Sequence, residues 1–197
     1  MNIVIRHLSK AFGEKVLWKD LNLVIPEKGC SVLMGASGCG KTTLLRILMG
    51  LEEEDEGEIL ESQRIRQCRK CVVFQEDRLC EGISAVDNVL AVLPGRTDRE
   101  MIRRDLEKTG LCRPFEEPVR NYSGGMKRRV AVVRACMAEG ELVLMDEPLR
   151  GLDRESREKT AGYIREKTKG RTLIITSHDQ EDAGLLGGKV IRLDGRS

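Results

Sequence analysis

Three stretches of this sequence carry residue types suited to phosphate chemistry. Gly35-Ala36-Ser37-Gly38-Cys39-Gly40-Lys41-Thr42 has the spacing GxxxxGK[ST], in which glycines let successive backbone N–H groups turn toward an anion. A helix starting there adds its partial positive charge, and Lys41 can reach the β- and γ-phosphates of a nucleotide. The Thr42 hydroxyl suits Mg²⁺, a hard cation that prefers oxygen. The apolar run Leu142-Val143-Leu144-Met145 ends in Asp146-Glu147, so two carboxylates emerge at a strand end. Asp146 suits the metal, directly or through water, and Glu147 is the better general base for an attacking water. Ser123-Gly124-Gly125 stands at a predicted helix start and offers a second anion site, which a simple kinase or small GTPase does not need. The first two stretches alone describe a nucleoside triphosphatase for either ATP or GTP. Cys39, inside the loop, sits where a helix N-terminus favours thiolate, so its alkylation is expected to block nucleotide binding.

The elements that must hold these residues can be read from periodicity and turn formers. Met1 to Ile5, Leu21 to Ile25 and Ser31 to Met34 read as strands separated by Gly13 and by Pro26-Glu27-Lys28-Gly29. Leu44, Leu48 and Leu51 recur at helical spacing after the glycine loop, with Leu45 and Ile47 widening the stripe. The acidic run Glu52 to Glu56 is expected to be an exposed connection without chemistry, because adjacent like charges repel. Cys71 to Phe74 reads as a strand, and Ala85 to Val92 and Arg99 to Lys108 as helices. Beyond Tyr122 come a helix (Gly125 to Ala138), a strand (Leu142 to Met145), a helix (Arg154 to Lys167), a strand (Leu173 to Thr176), a helix (Asp179 to Leu186) and a strand (Lys189 to Leu193). Strands alternating with helices imply a parallel sheet covered on both faces.

Composition narrows the class further. The chain has 197 residues, enough for one domain with a sizeable core. Its 34 basic residues nearly cancel 32 acidic ones, so the net charge of +2 provides no broad field for a nucleic-acid backbone. The basic runs Lys127 to Arg129 and Arg103 to Arg104 are expected to be solvated helix faces. No apolar run approaches the ~18 residues of a membrane span, and Met1 to Lys10 lacks the pattern of a secretion signal, so the expected compartment is the cytoplasm. Seven scattered cysteines suit reducing conditions. Cys68 and Cys71 form a single CxxC that lacks a second ligand pair, and Cys71 reads as the start of a buried strand. Trp18 reads as packing.

Tyr122-Ser123-Gly124-Gly125-Met126, followed by Lys127-Arg128-Arg129, resembles the signature of the ATP-binding cassette (ABC) family, usually written LSGGQ. Tyr122 and Met126 depart from that pattern and leave the phosphate-facing Ser-Gly-Gly intact. Gln75 resembles the family's Q-loop, Gly151-Leu152-Asp153 its D-loop, His178 its switch histidine, and Phe12 the aromatic that stacks on adenine. The resemblance spans essentially the whole chain, and Val73 to Leu79 with Glu147 to Asp153 resemble the small importer cassettes of the nitrate, sulfonate and taurine group.

The resemblance implies a P-loop NTPase (RecA-like) α/β core with a mainly parallel sheet, an N-terminal antiparallel β subdomain and an inserted α-helical subdomain. It implies one ABC ATPase domain over 1–197, with the helical subdomain at about 80–125 and the signature at its end. ATP and Mg²⁺ are the implied cofactors. Gly35 to Thr42, together with Thr43, would hold the phosphates, and Thr42, Gln75 and Asp146 the metal. Lys41, Gln75, Glu147 and His178 would serve catalysis, while Ser123, Gly124, Gly125 and Asp153 would meet nucleotide across a pair of cassettes. The implied partners are a second cassette, an integral membrane permease docking on Gln75 to Val92, and an extracytoplasmic substrate-binding protein acting through the permease. Nucleic acid is not among them. The implied location is the inner face of the cell membrane, peripheral and cytoplasmic. The alternative is a soluble ABC protein of translation or DNA maintenance; such proteins usually carry two cassettes or a long coiled coil, and this chain shows each motif once and no sustained heptads.

Overall fold

The computed structural model describes residues 2–95, 98–112 and 115–193. Met1, expected in the first strand, lies outside them, as do the last four residues of the expected domain. β1 (Asn2–Phe12) and β2 (Lys15–Pro26) pair antiparallel, and β4 (Glu56–Leu60) adds to the other side of β1. Both hairpin strands run well past the expected 1–5 and 21–25. The apolar-run criterion registers only inward positions, whereas β1 continues through polar residues and shifts register at several points.

β3 (Cys30–Met34), β5 (Lys70–Val73), β6 (Leu142–Asp146), β7 (Thr172–Thr176) and β8 (Lys189–Arg192) form an all-parallel sheet in the order β5-β6-β7-β3-β8. Every residue of β6 and β7 is buried, which explains why they read as unbroken apolar runs. Two cores flank this sheet. One lies against the antiparallel sheet and α1 (Lys41–Met49), where Leu44, Leu45 and Leu48 are essentially inaccessible. Each such leucine contributes roughly 1.5–3 kcal/mol by leaving water. The other core gathers α3 (Ala85–Leu90), α4 (Arg99–Lys108), α5 (Gly124–Met137), α6 (Arg154–Lys167) and α7 (Gln180–Leu186). The short α2 (Gln63–Gln67) leads into β5.

Two expectations fail here. The acidic run is largely exposed, as expected, but it is no idle connection: Lys10 Nζ lies 3.0 Å from Glu52 Oε1 and 3.2 Å from Asp55 Oδ1, and Glu56 begins β4. A nearly buried lysine relieves the repulsion that charge counting along the chain registers. Nor is Lys127 to Arg129 a solvated face. Arg128 is buried and donates to the carbonyls of Phe74, at 2.6 Å, and of Gln75. Arg129 donates to Gly125 O at 3.1 Å and Ser156 Oγ at 3.3 Å. Their long stems fill space between elements while their head groups satisfy nearby backbone carbonyls. Of the run Arg103 to Arg104, Arg104 is largely exposed, as expected, whereas Arg103 is partly covered and pairs with Glu116.

Candidate functional site

The phosphate loop joins the end of β3 to the start of α1, the strand–loop–helix context its spacing requires. Gly40 caps the helix at φ 96°, and a Cβ there would stand 2.2 Å from the Trp18 ring. Glycine is required twice over, by backbone conformation and by space. Trp18 Nε1 donates to Cys39 O at 2.8 Å, so the residue read as packing also fixes the loop. Lys41 arches over the loop with Nζ 2.8 Å from Gly35 O and 3.0 Å from Ala36 O. Ala36, Ser37, Gly38 and Thr42 are exposed. Cys39 is not: its thiol packs inside the core beside Gly35. The expected alkylation of Cys39 needs an accessible thiol, and burial removes that access.

At the far end of β6, buried Asp146 accepts a 2.5 Å hydrogen bond from Thr176 Oγ1 on the neighbouring β7. Glu147 leaves the strand at φ 50°, a left-handed conformation uncommon for a residue with a side chain, and Thr176 fixes it. The Glu147 N–H donates to Thr176 Oγ1 at 3.0 Å and to its carbonyl at 3.2 Å. The turn aims the Glu147 carboxylate at His178, whose Nε2 is 2.5 Å from Oε1. Arg150 Nη1 lies 3.0 Å from the other oxygen. Sequence reasoning missed Arg150, although its place three residues after Glu147 in a turn is the signal that could have found it.

Ser177 and Asp179, on either side of His178, are tied to α6 and α7. Arg157 Nε donates to Asp182 Oδ1 at 2.7 Å, Arg157 also grips Asp179, and Ser177 Oγ donates to Asp182. The Arg157 guanidinium holds the Asp179 carboxyl below its usual range. These residues are far apart in sequence, and no motif marks them.

Two adjoining clefts share Ser37, Gln75, Glu147 and His178. The first, about 310 Å³, runs along the phosphate loop past Lys41, Thr42 and Thr43 to Phe12, which is half exposed at the end of β1. The second, about 600 Å³, opens toward Arg150, Gly151 and Leu152. The structure therefore brings Phe12, the loop, Gln75, Glu147 and His178 together. Ser123 and Gly124 line neither cleft. Ser123 caps α5 by accepting from Met126 N–H at 3.3 Å, and both Ser123 and Gly124 face solvent. Asp153 likewise caps α6, accepting from Ser156 N–H at 2.9 Å. Tyr122 is buried in the helical core, so this departure from the signature pattern serves packing.

Comparison with known proteins defines the class. The family model described as "ABC transporter" matches residues 18–150. The chain belongs to the ABC transporter family, and it is an ATPase of the ABC type. It is 37% identical over 96% of its length to an aliphatic sulfonates import ATP-binding protein, SsuB 2, of Paracoccus denitrificans, and covers 76% of that protein. It is 36% identical over 93% of its length to a sulfate/thiosulfate import ATP-binding protein, CysA, of Neisseria meningitidis, of which it spans 56%. Among solved structures it resembles the dimeric structure of MJ0796, a bacterial ABC transporter cassette, with a TM-score of 0.80 and 27% identity over 96% of this chain and 93% of that one. A dimeric post-hydrolysis state of the same cassette bound to ADP and Pi matches with a TM-score of 0.80 and 26% identity, over 98% and 94% of the two chains.

Proposed function

We propose that this chain is the ATP-hydrolysing subunit of a membrane importer and works as one of two cassettes that close around ATP. The observation that carries this reading is a division of the site. Glu147 and His178 meet at 2.5 Å beside the phosphate loop, whereas Ser123 and Gly124 stand exposed outside both clefts. A second copy laid across the opening would bring its own Ser123-Gly124-Gly125 and Asp153 to the nucleotide. The dimeric cassettes it resembles support this arrangement.

In this reading Phe12 stacks on adenine, Gly35 to Thr43 bind the phosphates, and Lys41 neutralises the β- and γ-phosphates. The Thr42 hydroxyl and the Gln75 amide, which line the first cleft, and the Asp146 carboxylate at the end of β6 are all oxygen ligands of the kind Mg²⁺ takes. When bound, that ion would neutralise charge on the phosphates. Glu147 orients the attacking water and accepts its proton, and His178 holds the Glu147 carboxylate in place. Arg128, gripping the carbonyls of Phe74 and Gln75, ties the Gln75 segment to the helix that Ser123 begins.

The names of the sulfonate and sulfate relatives support import as the direction of transport. The chain then acts as a single ABC ATPase domain, peripheral on the cytoplasmic membrane face, with a permease helix docked on Gln75 to Val92. A substrate-binding protein would act through that permease. Among the described residues no helix is long and apolar enough to cross a membrane, so the span falls to the partner in this scheme. The test is affinity purification of the Glu147→Gln chain from native membranes with ATP and Mg²⁺, followed by mass spectrometry. Recovery of a multi-span permease is expected. Recovery of ribosomal or DNA-bound partners without any membrane protein would replace the importer reading with a soluble one.

A further inference from the structure

The buried positions of β1 are Ile3, Ile5, Leu8 and Lys10, so an ammonium group ends a row of aliphatic side chains. Burying such a group is costly unless its donors are used. All three have acceptors: Nζ lies 2.7 Å from Glu53 O, 3.0 Å from Glu52 Oε1 and 3.2 Å from Asp55 Oδ1. The acidic partners raise the Lys10 pKa, Glu52 most of all. The same acidic segment holds the backbone on both sides of Lys10. Asp55 N–H donates to Ser9 O at 3.0 Å, and Asp55 Oδ2 accepts from Ala11 N–H at 2.7 Å. Ser9, Lys10 and Ala11 are thus gripped in succession immediately before Phe12.

The hairpin partner pairs with Lys10, Ala11 and Phe12 but shifts register on both sides of Lys10, and the acidic segment adds a second hold at that irregularity. Phe12 itself is half exposed, and a free aromatic at a strand end would sample many orientations. Here Nζ of Lys10 stands 5.0 Å from the centroid of the Phe12 ring, within the range of a cation–π contact. The ring lines the cleft that contains Gly38, Lys41 and Thr42.

We propose that Lys10 and the acidic segment Glu52 to Asp55 form a clamp that presents the Phe12 ring to the nucleotide base, making Lys10 a positioning residue for base recognition. The proposal rests on the reading of Phe12 as the base-stacking aromatic. It assigns the acidic run a role in nucleotide affinity although none of its residues lines either cleft at the phosphate loop.

The clamp should matter for the base and not for the phosphates, which sets the experiment. Dissociation constants are measured for the full chain with ATP and with inorganic tripolyphosphate, both with Mg²⁺, in Lys10→Met, Lys10→Arg, Asp55→Asn and Phe12→Ala variants whose thermal melts show them folded. Lys10→Met and Phe12→Ala should each weaken ATP about tenfold and leave tripolyphosphate within about twofold. Asp55→Asn, which keeps Lys10 and its other acceptors, should weaken ATP by about threefold, and Lys10→Arg should restore most of the loss. Equal weakening of ATP and tripolyphosphate by Lys10→Met would make the effect one of charge alone and overturn the proposal. So would unchanged ATP binding in Lys10→Met and Asp55→Asn beside a loss in Phe12→Ala. Unchanged ATP binding in Phe12→Ala would instead remove the base-stacking reading itself, and the clamp's role with it.

Discussion

The phosphate loop and the Ser123-Gly124-Gly125 turn are made of similar material, glycines leading into a helix, yet they end in opposite settings. The loop is packed from beneath: a Cβ at Gly40 would strike Trp18, and one at Gly35 would stand 2.5 Å from Leu193 O. At Gly124 an added Cβ meets nothing within 4 Å. One glycine turn is closed off within the chain, and the other is left open to a surface. Glycine at Gly35 and Gly40 is required by the packing of the fold, whereas at Gly124 the fold makes no such demand.

The largest effect should come from the closed side. Glu147→Gln removes the proposed base while leaving the fixed turn and the loop, so steady-state ATP hydrolysis should fall by about 10²–10⁴ with ATP binding retained. A near-normal rate in a single-turnover assay would take the base assignment from Glu147. The contrast between the two glycine turns can then be broken directly by pairing Lys41→Ala with Gly124→Arg. Each chain alone should be inactive. Mixed, they should recover activity, because one composite site joins the intact loop of one chain to the intact turn of the other. A mixture as inactive as its parts would show that the exposed turn is not completed across a pair.

Stability sharpens the same comparison. Gly40→Ala should lower the melting temperature by several degrees and Gly124→Ala by little, since the first adds an atom inside a packed ring and the second adds one to open space. Arg128→Met should cost about 3 kcal/mol in chemical denaturation, since it leaves Asp77 and two carbonyls without their buried partner. A loss below about 0.5 kcal/mol would return this residue to the solvated-face reading.

The smallest effect concerns thiols. Burial pushes Cys30 up to about 11 and Cys136 up to about 12, against 9.0 for an ordinary thiol. The fold holds both neutral, whereas the unfolded chain ionises them. Stability should therefore decline as pH rises from about 9 toward 12 and be unaffected by these groups below that window. In a thiol-reagent titration at neutral pH, exposed Cys80 and Cys112 should react first and Cys136 only after unfolding. Rapid labelling of Cys136 in the folded chain would contradict its burial.

Several elements were legible to the residue. α4 and α6 begin and end where periodicity places them, and Asp98 and Asp153 cap them by accepting backbone N–H groups of Glu100 and Ser156. Their signals lie within one or two turns of chain. α2 and β4 escaped notice because each has only five residues and lies in or beside a charged stretch without clear periodicity. The roles of Lys10, Arg128 and Arg157 leave no local signal for a related reason. A charged residue looks solvated until its partners, tens of residues away, are known.

The phosphate loop, the carboxylates at the end of β6 and the glycine turn before α5 are written into the chain locally, because each is a pattern of backbone freedom and charge at a helix or strand end. That His178 meets Glu147, that Arg128 reaches from α5 to the carbonyl of Gln75, and that an acidic run closes on Lys10 behind Phe12 follow from how the folded elements pack. Those contacts join residues from separate elements, and their strength depends on how far water is excluded when the elements pack.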